Sequence, residues 1–276
     1  MNDNWIKTVG RIGPIAILAI ASSKPAFAQI IPDRTLGNEN SVVVPINTQL
    51  EHIQGGALRG TNLFHSFQDF NIKEGHSAYF VNPAAIQNIF SRVTGVNPSH
   101  ILGKLGVLGE ANLYLINPNG IIFGDNASLD IKGGFVASTA SSFAFPDGSQ
   151  YSAVNPEIPP VLINNVPIQI SLQFEGEPAT IVNAGHLQAG GNITLAGGMV
   201  VNTGQISAPE NTVNLLAVQP ETTVRMSDRA DILEVIEPTV ASELESNLEA
   251  LEELSEETGL RVTETGDYEI LGTGIT

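Results

Sequence analysis

Two stretches of this chain match each other at a single offset. Val182-Asn183-Ala184-Gly185-His186-Leu187-Gln188-Ala189 corresponds to Val201-Asn202-Thr203-Gly204-Gln205-Ile206-Ser207-Ala208, 19 residues later at every position. Each copy leads into a further strand-like run, Ile193-Thr194-Leu195 after the first and Val213-Asn214-Leu215-Leu216 after the second. A looser copy precedes them in Ala127-Ser128-Leu129-Asp130-Ile131, followed by Gly133-Gly134-Phe135-Val136. A period near twenty, with short strands and Asn or Gly at the bends, is the pattern of a parallel β-helix. One coil cannot bury its apolar face alone, so its neighbour completes the core. At the roughly 4.8 Å spacing of stacked strands, Asn183 and Asn202 could share a ladder of side-chain amide bonds. The competing reading of these residues is a β-sandwich carrying a chance echo.

The most apolar stretch is Ala111 to Gly124. Leu113, Tyr114, Leu115 and Ile116 lie on one side of Asn117-Pro118-Asn119-Gly120, and Ile121, Ile122 and Phe123 on the other. Pro118 suits the second position of a tight turn, and Asn119-Gly120 is the pair that most easily accepts positive φ. This reads as strand, turn, strand, with both strands covered on both faces. Upstream, Ser41 to Ile46 is β-branched, with Pro45 marking an edge or strand end. His52 to Gly60 is glycine-rich and reads as a connection. Phe64, Phe67 and Phe70, spaced three apart, fit a helical turn, whereas Tyr79, Phe80 and Val81 read as strand. Periodicity leaves helix and strand both open between Asn82 and Val96. Turns recur about every ten residues, which is the mark of an all-β chain. Tyr151 to Glu177 is broken by prolines, and Ile168 to Phe174 alternates as a half-buried strand, in a hairpin outside the coil.

The charge is unevenly placed. Of the 29 acidic and 12 basic residues, 15 and 3 respectively lie between Glu221 and Thr276. In that tail Val240, Leu244, Leu248 and Leu251 keep helical spacing, Ser242 and Glu245 have capping-box spacing, and Gly259 can end the helix. Two short strands, Leu260 to Thr263 and Tyr268 to Leu271, should follow. An acidic chain without basic clusters does not fit nucleic acid. There is no cysteine, hence no disulfide and no thiolate chemistry.

The first 28 residues read as a cleaved export signal. Lys7 and Arg11 precede an apolar run from Ile12 to Ala21, and Ala26-Phe27-Ala28 supplies small residues at the two positions a signal peptidase reads, with cleavage between Ala28 and Gln29. The run is much shorter than the ~20 residues of a membrane span. The expected organisation is a signal peptide at 1–28, a β-helix domain at 29–220 and an acidic extension at 221–276 with a short α-helix and strands.

Catalytic and metal-binding motifs are missing. The five histidines are scattered, and there is no phosphate loop, no Gly-x-Ser-x-Gly elbow and no His-Glu-x-x-His. Asp125 and Asp130 lie near a turn, where solvated Asp is the ordinary reading of such a pair. Gly190-Gly191 and Gly197-Gly198 lack the Asp pattern of calcium-binding coils. No metal, no cofactor and no enzymatic activity are expected.

These residues resemble a known family. Asn62 to Ala140 is similar to the secretion domain of filamentous haemagglutinin-type exoproteins, the two-partner secretion (TPS) family, in versions like those of cyanobacteria. The resemblance rests on Phe64-His65-Ser66-Phe67 with Phe70-Asn71-Ile72, on Ser91-Arg92-Val93-Thr94-Gly95, on Asn117-Pro118-Asn119-Gly120-Ile121, and on Phe123-Gly124 with Val136-Ala137-Ser138-Thr139. It extends more weakly from Gln29 to about Val218. The family's earlier Asn-Pro-Asn-Leu turn is degenerate here, as Asn82-Pro83-Ala84-Ala85. The resemblance implies a right-handed parallel β-helix with an N-terminal cap and extra-helical strands. It implies a secretion signal of an adhesin- or haemagglutinin-like protein, recognised in the periplasm by soluble domains of an outer-membrane pore partner and folded outside the cell. Strand addition to a sheet edge is a recognition mode suited to an extended chain. Family members usually continue into a long repetitive passenger, and a fragment, a truncated gene and a short secreted product all fit a sequence stopping at Thr276. Two other readings stay open: a free-standing surface β-helix binding an extracellular glycan or protein, and a polysaccharide-active enzyme on a β-helix scaffold. The second needs clustered acids and bases in a groove, for which Lys and Arg are sparse.

Overall fold

The computed structural model describes residues 29–157, 170–227, 230–237, 260–262 and 268–270. The export signal, its Ala28 cleavage residue and the helix expected between Val240 and Leu251 lie outside the described residues. Those described form strands and one short 3-10 turn at Gly37–Glu39. None of their helices is long and apolar enough to cross a membrane.

The centre is a parallel β-helix whose coils pass through three sheets. Asn62–Asp69, Asn88–Val93, Asn112–Ile116, Phe135–Ser138, Ile193–Gly197 and Val213–Ala217 are successive rungs of an eight-stranded sheet. Ser99–Ile101, Ile121–Phe123, Thr180–Asn183 and Met199–Asn202 build a four-stranded sheet, and Leu50–Gly55, Ser77–Phe80, Lys104–Val107, Ser128–Asp130, His186–Gln188 and Gln205–Ser207 carry a seven-stranded one. The repeat at an offset of 19 falls in register: Val182 pairs with Val201, Asn183 with Asn202, and Leu187 with Ile206. Asn183 Nδ2 donates to Asn202 Oδ1 at 2.7 Å, the first bond of the expected ladder. The looser copy joins the same stack, with Ser128 opposite His186. The N-terminal end is closed by antiparallel strands. Ser41–Pro45 pairs with Leu50–Gly55 at the edge of the seven-stranded sheet, which is where Pro45, lacking an N–H, costs no ladder bond.

Side chains alternate across the eight-stranded sheet, and both faces are covered. Leu63, Ile89, Leu113, Phe135 and Ile193 stack inward, one per rung, in the solenoid core. Phe64, Phe90, Tyr114 and Val136 point outward into a second core. Its aromatic rings stack at the rung spacing, Phe64 on Phe90 at 5.2 Å and Phe90 on Tyr114 at 5.0 Å between centroids. The outer lid of this core is a five-stranded antiparallel sheet: Gln150–Ser152, Ser142–Ala144, Ile170–Gln173, Thr223–Met226 and Ile232–Ile236. The expected extra-helical strand is Ile170–Gln173, with Ile170 and Leu172 facing the second core. The strands Leu260–Val262 and Tyr268–Ile270 pair with each other antiparallel.

Several local expectations are corrected. Phe64, Phe67 and Phe70 do not make a helical turn. Asn62–Asp69 is a strand, and a separation of three puts Phe64 in the outer core and Phe67 in the inner one. Spacing of three therefore signals a strand buried on both sides. His52 to Gly60 is two strands, Leu50–Gly55 and Ala57–Arg59, bent between them. The ambiguous segment after Asn82 contains the fully buried strand Asn88–Val93. Double coverage holds for the rung before Asn117. In Ile121–Phe123 it does not, because Ile122 lies on the outer side of the four-stranded sheet and stays half-buried.

Candidate functional site: the Asn117–Ile121 corner

Asn117, Pro118, Asn119 and Gly120 turn the chain from the eight-stranded sheet into the four-stranded one. Asn117 is wholly buried. Its Nδ2 donates to the Asn97 carbonyl and to Ser99 Oγ, both at 3.0 Å, and so bonds to the coil beneath. Its Oδ1 accepts the Asn119 N–H at 3.0 Å, an Asx turn, and its carbonyl accepts the Gly120 N–H at 3.0 Å. Asn119 Nδ2 donates to the Gly95 carbonyl at 2.8 Å, a second bond to the preceding coil. The Asn117 N–H reaches the other way, to the Ser138 carbonyl of the next rung at 3.0 Å. The corner therefore ties three coils together. Gly120 alone in the turn has positive φ, at 111°, and a Cβ there would lie 3.0 Å from the Thr180 carbonyl oxygen. Ile121 follows fully buried, between Ser99 and Ile181 in register.

The other residues singled out in the sequence stand elsewhere. Asn82 and Pro83 lie at a different corner, after Ser77–Phe80 of the seven-stranded sheet. There Asn82 Nδ2 and the Ile86 N–H both donate to the Pro83 carbonyl, at 3.1 and 3.0 Å. Gln29 begins the described chain, and its amide donates to Glu51 Oε1. Among the described residues no group of three or more His, Cys, Asp and Glu is arranged to hold a metal ion. His65 is fully buried, its Nδ1 3.0 Å from Ser41 Oγ, and burial pushes it down to about 3. Asp125 and Asp130 are both exposed. Asp130 is the acceptor for the Tyr79 hydroxyl at 2.8 Å.

Sequence reasoning missed a buried charge beside this corner. Arg92 is fully enclosed on the outward face of its rung. Its Nε donates to Ser66 Oγ at 2.9 Å, Nη1 to the Ser152 carbonyl at 2.8 Å, and Nη2 to Thr35 Oγ1 and the Glu157 carbonyl at 2.8 and 2.7 Å. The guanidinium carbon sits 3.9 Å above the centre of the Tyr151 ring. Asp33 completes the cluster without touching Arg92. It accepts from Thr94, Ser66 and Thr35, and these bonds outweigh the upward push of burial and hold its carboxyl below the usual range. Burial lowers the Arg92 pKa, opposed by the nearby negative charge of Asp33. The available signal was an arginine inside the apolar run Ile89 to Val93, since such a residue is buried only when fully partnered.

A β-helix with an antiparallel N-terminal cap, an outer sheet over one face, and an Asn-Pro-Asn-Gly corner describes a class of secretion module. The family model for the TPS secretion domain matches residues 28–267, and the chain belongs to that family. The solved HMW1 secretion domain from Haemophilus influenzae shares the fold with TM-score 0.51 and 24% identity, over 72% of this chain and 48% of that one. The filamentous hemagglutinin secretion domain does so with TM-score 0.55 and 16% identity, over 77% and 69%. A curated relative, the heme/hemopexin-binding protein of Haemophilus influenzae, is 26% identical over 145 residues, 52% of this chain. The match spans only 15% of that relative's length. TPS exoproteins are secreted across the outer membrane, and their secretion domains work with an outer-membrane transporter partner.

Proposed function

We propose that this chain enters the periplasm by a signal cleaved after Ala28 and is recognised there by soluble domains of a dedicated outer-membrane transporter. It crosses unfolded and folds coil by coil outside, as the secretion signal of an adhesin-like exoprotein. The observation that carries this reading is the family match across residues 28–267. The absence of cysteine supports it, because no disulfide stands in the way of threading. Its relatives are secretion domains and exoproteins, which supports a non-catalytic role. The test is deletion of the transporter partner. The chain should then be retained in the periplasm, and undiminished export would overturn the proposal.

Within that reading, Asn117, Pro118, Asn119, Gly120 and Ile121 act first through the fold. The Asn117 and Asn119 side chains and the Asn117 and Gly120 backbone bond to neighbouring coils, and Ile121 is buried, which supports this reading. Export and melting temperature of Asn117→Ala, measured together, separate this from direct contact with the transporter. A parallel fall in both supports the fold role, and a variant that melts normally yet stays in the periplasm assigns the turn to recognition.

A further inference from the structure

Among the described residues no second layer covers the outer face of the seven-stranded sheet, and its side chains are ranked by the coil register. Ser77, Lys104, Ser128, His186 and Gln205 stand in one outward column, each opposite the next. Tyr79, Gly106 and Asp130 stand in the neighbouring one. Two hollows lie along this face. One, of about 380 Å³, includes Glu74, His76, Lys104, Asn126 and Ser128; the other, of about 340 Å³, includes Ser128, Asp130, His186 and Gln188. They share Ser128 and so form one trough slanting across the coils.

Its chemistry excludes some occupants. None of the exposed large apolar side chains among the described residues lines either hollow, so the trough lacks the anchors on which a protein partner docks. Glu74 and Asp130 within it, on a chain of net charge -17, repel a polyanion. What remains matched is an uncharged, hydroxyl-rich chain: Asn126 already donates to Glu74 Oε1 at 2.6 Å and the Tyr79 hydroxyl to Asp130 Oδ2, so each carboxylate keeps its second oxygen as an acceptor, Lys104 supplies the donor, and Gln188 can serve as either. A pyranose ring is about as long as one rung spacing of the coil, roughly 4.8 Å, so successive sugars can meet successive rungs in equivalent settings. Tyr79, in the neighbouring column, adds a platform beside the trough. Its ring lies across Gly106, where a Cβ would come within 2.3 Å of it, and its hydroxyl is held by Asp130 Oδ2 at 2.8 Å. A ring fixed along the sheet in this way suits the apolar C–H face of a sugar.

We propose that this trough binds a linear neutral polysaccharide, one sugar ring per rung. The inference concerns the folded protein and stands or falls independently of how the chain is exported. The test is calorimetric titration of the purified full chain with cellohexaose, xylohexaose and chitohexaose and their shorter oligomers. At least one series binds, and its affinity rises with length up to four rings, one for each strand of the column that lines the trough from Ser77 to His186. Asp130→Ala and His186→Ala, both at exposed positions, each weaken binding by about tenfold or more with an unchanged melting temperature. Absence of binding by all three hexasaccharides at millimolar concentration would overturn the proposal. So would affinity that ignores oligomer length, equal binding by both variants, or heparin binding as tightly as the neutral oligomers.

Discussion

At the scale of single residues, the corner glycine and the buried histidine make opposite kinds of contribution. Gly120 is needed for its backbone, since a β-branched side chain at φ 111° is strained and its Cβ meets the Thr180 carbonyl. Gly120→Val should destabilise the domain by about 1–3 kcal/mol in chemical denaturation. His65 acts through the charge it must not carry when folded. It is packed against Phe67 and Phe80 and held neutral by burial, with a folded pKa of about 3 against about 6.5 unfolded. Its stabilisation is therefore complete above pH 6.5 and declines as the pH falls toward 3, by at most about 1.4 kcal/mol per pH unit. Melting curves across that range should show this slope, and His65→Gln should flatten it.

At the scale of elements, the buried arginine joins parts that the sequence keeps far apart. Arg92 connects the N-terminal segment, two rungs and the outer sheet through Thr35, Ser66, Tyr151 and Ser152. Arg92→Met removes the charge but leaves the buried Ser152 carbonyl unpaired and the Asp33 cluster without its cation, and a loss of about 3 kcal/mol or more in denaturant unfolding is expected. Phe90→Ala interrupts the ring ladder between Phe64 and Tyr114 and should cost about 3–5 kcal/mol by the same measurement. The sequence made the last coils legible because they have equal lengths, so Asn183 and Asn202 align at one offset. The earlier coils are just as regular in space but not in number. Asn88 bonds to Asn62 across 26 residues and Asn112 to Asn88 across 24, at 3.0 Å each, because the intervening corners differ in length. An offset search passes over that ladder. The Asn117 turn was readable from local chemistry, whereas its bonds to Gly95 and Asn97 depend on which coil lies beneath and have no local signature. Phe64 and Phe67 misled for a related reason: a second core outside the solenoid makes a strand apolar on both faces, and the period of two disappears.

At the scale of the whole molecule, an uneven negative charge is set against a doubly layered apolar core. With net charge -17, the folded protein repels itself, and it should melt at higher temperature as salt rises from low ionic strength toward 0.1 M, where the screening length falls to about 10 Å. A melting temperature that does not rise over that interval would mean that the acids are too far apart to interact.

The reach of Arg92 also sets a lower limit on any self-sufficient piece of this chain. Two of its acceptors are the carbonyls of Ser152 and Glu157, about sixty residues downstream of the arginine itself. A fragment ending at Ala140, where the motifs of the family have all been passed, would retain the ion and lose both oxygens and the Tyr151 ring beneath it. An autonomous unit should therefore reach Glu157, well past the last recognisable motif, so that two main-chain oxygens close over the cation beside the Ser66 and Thr35 hydroxyls.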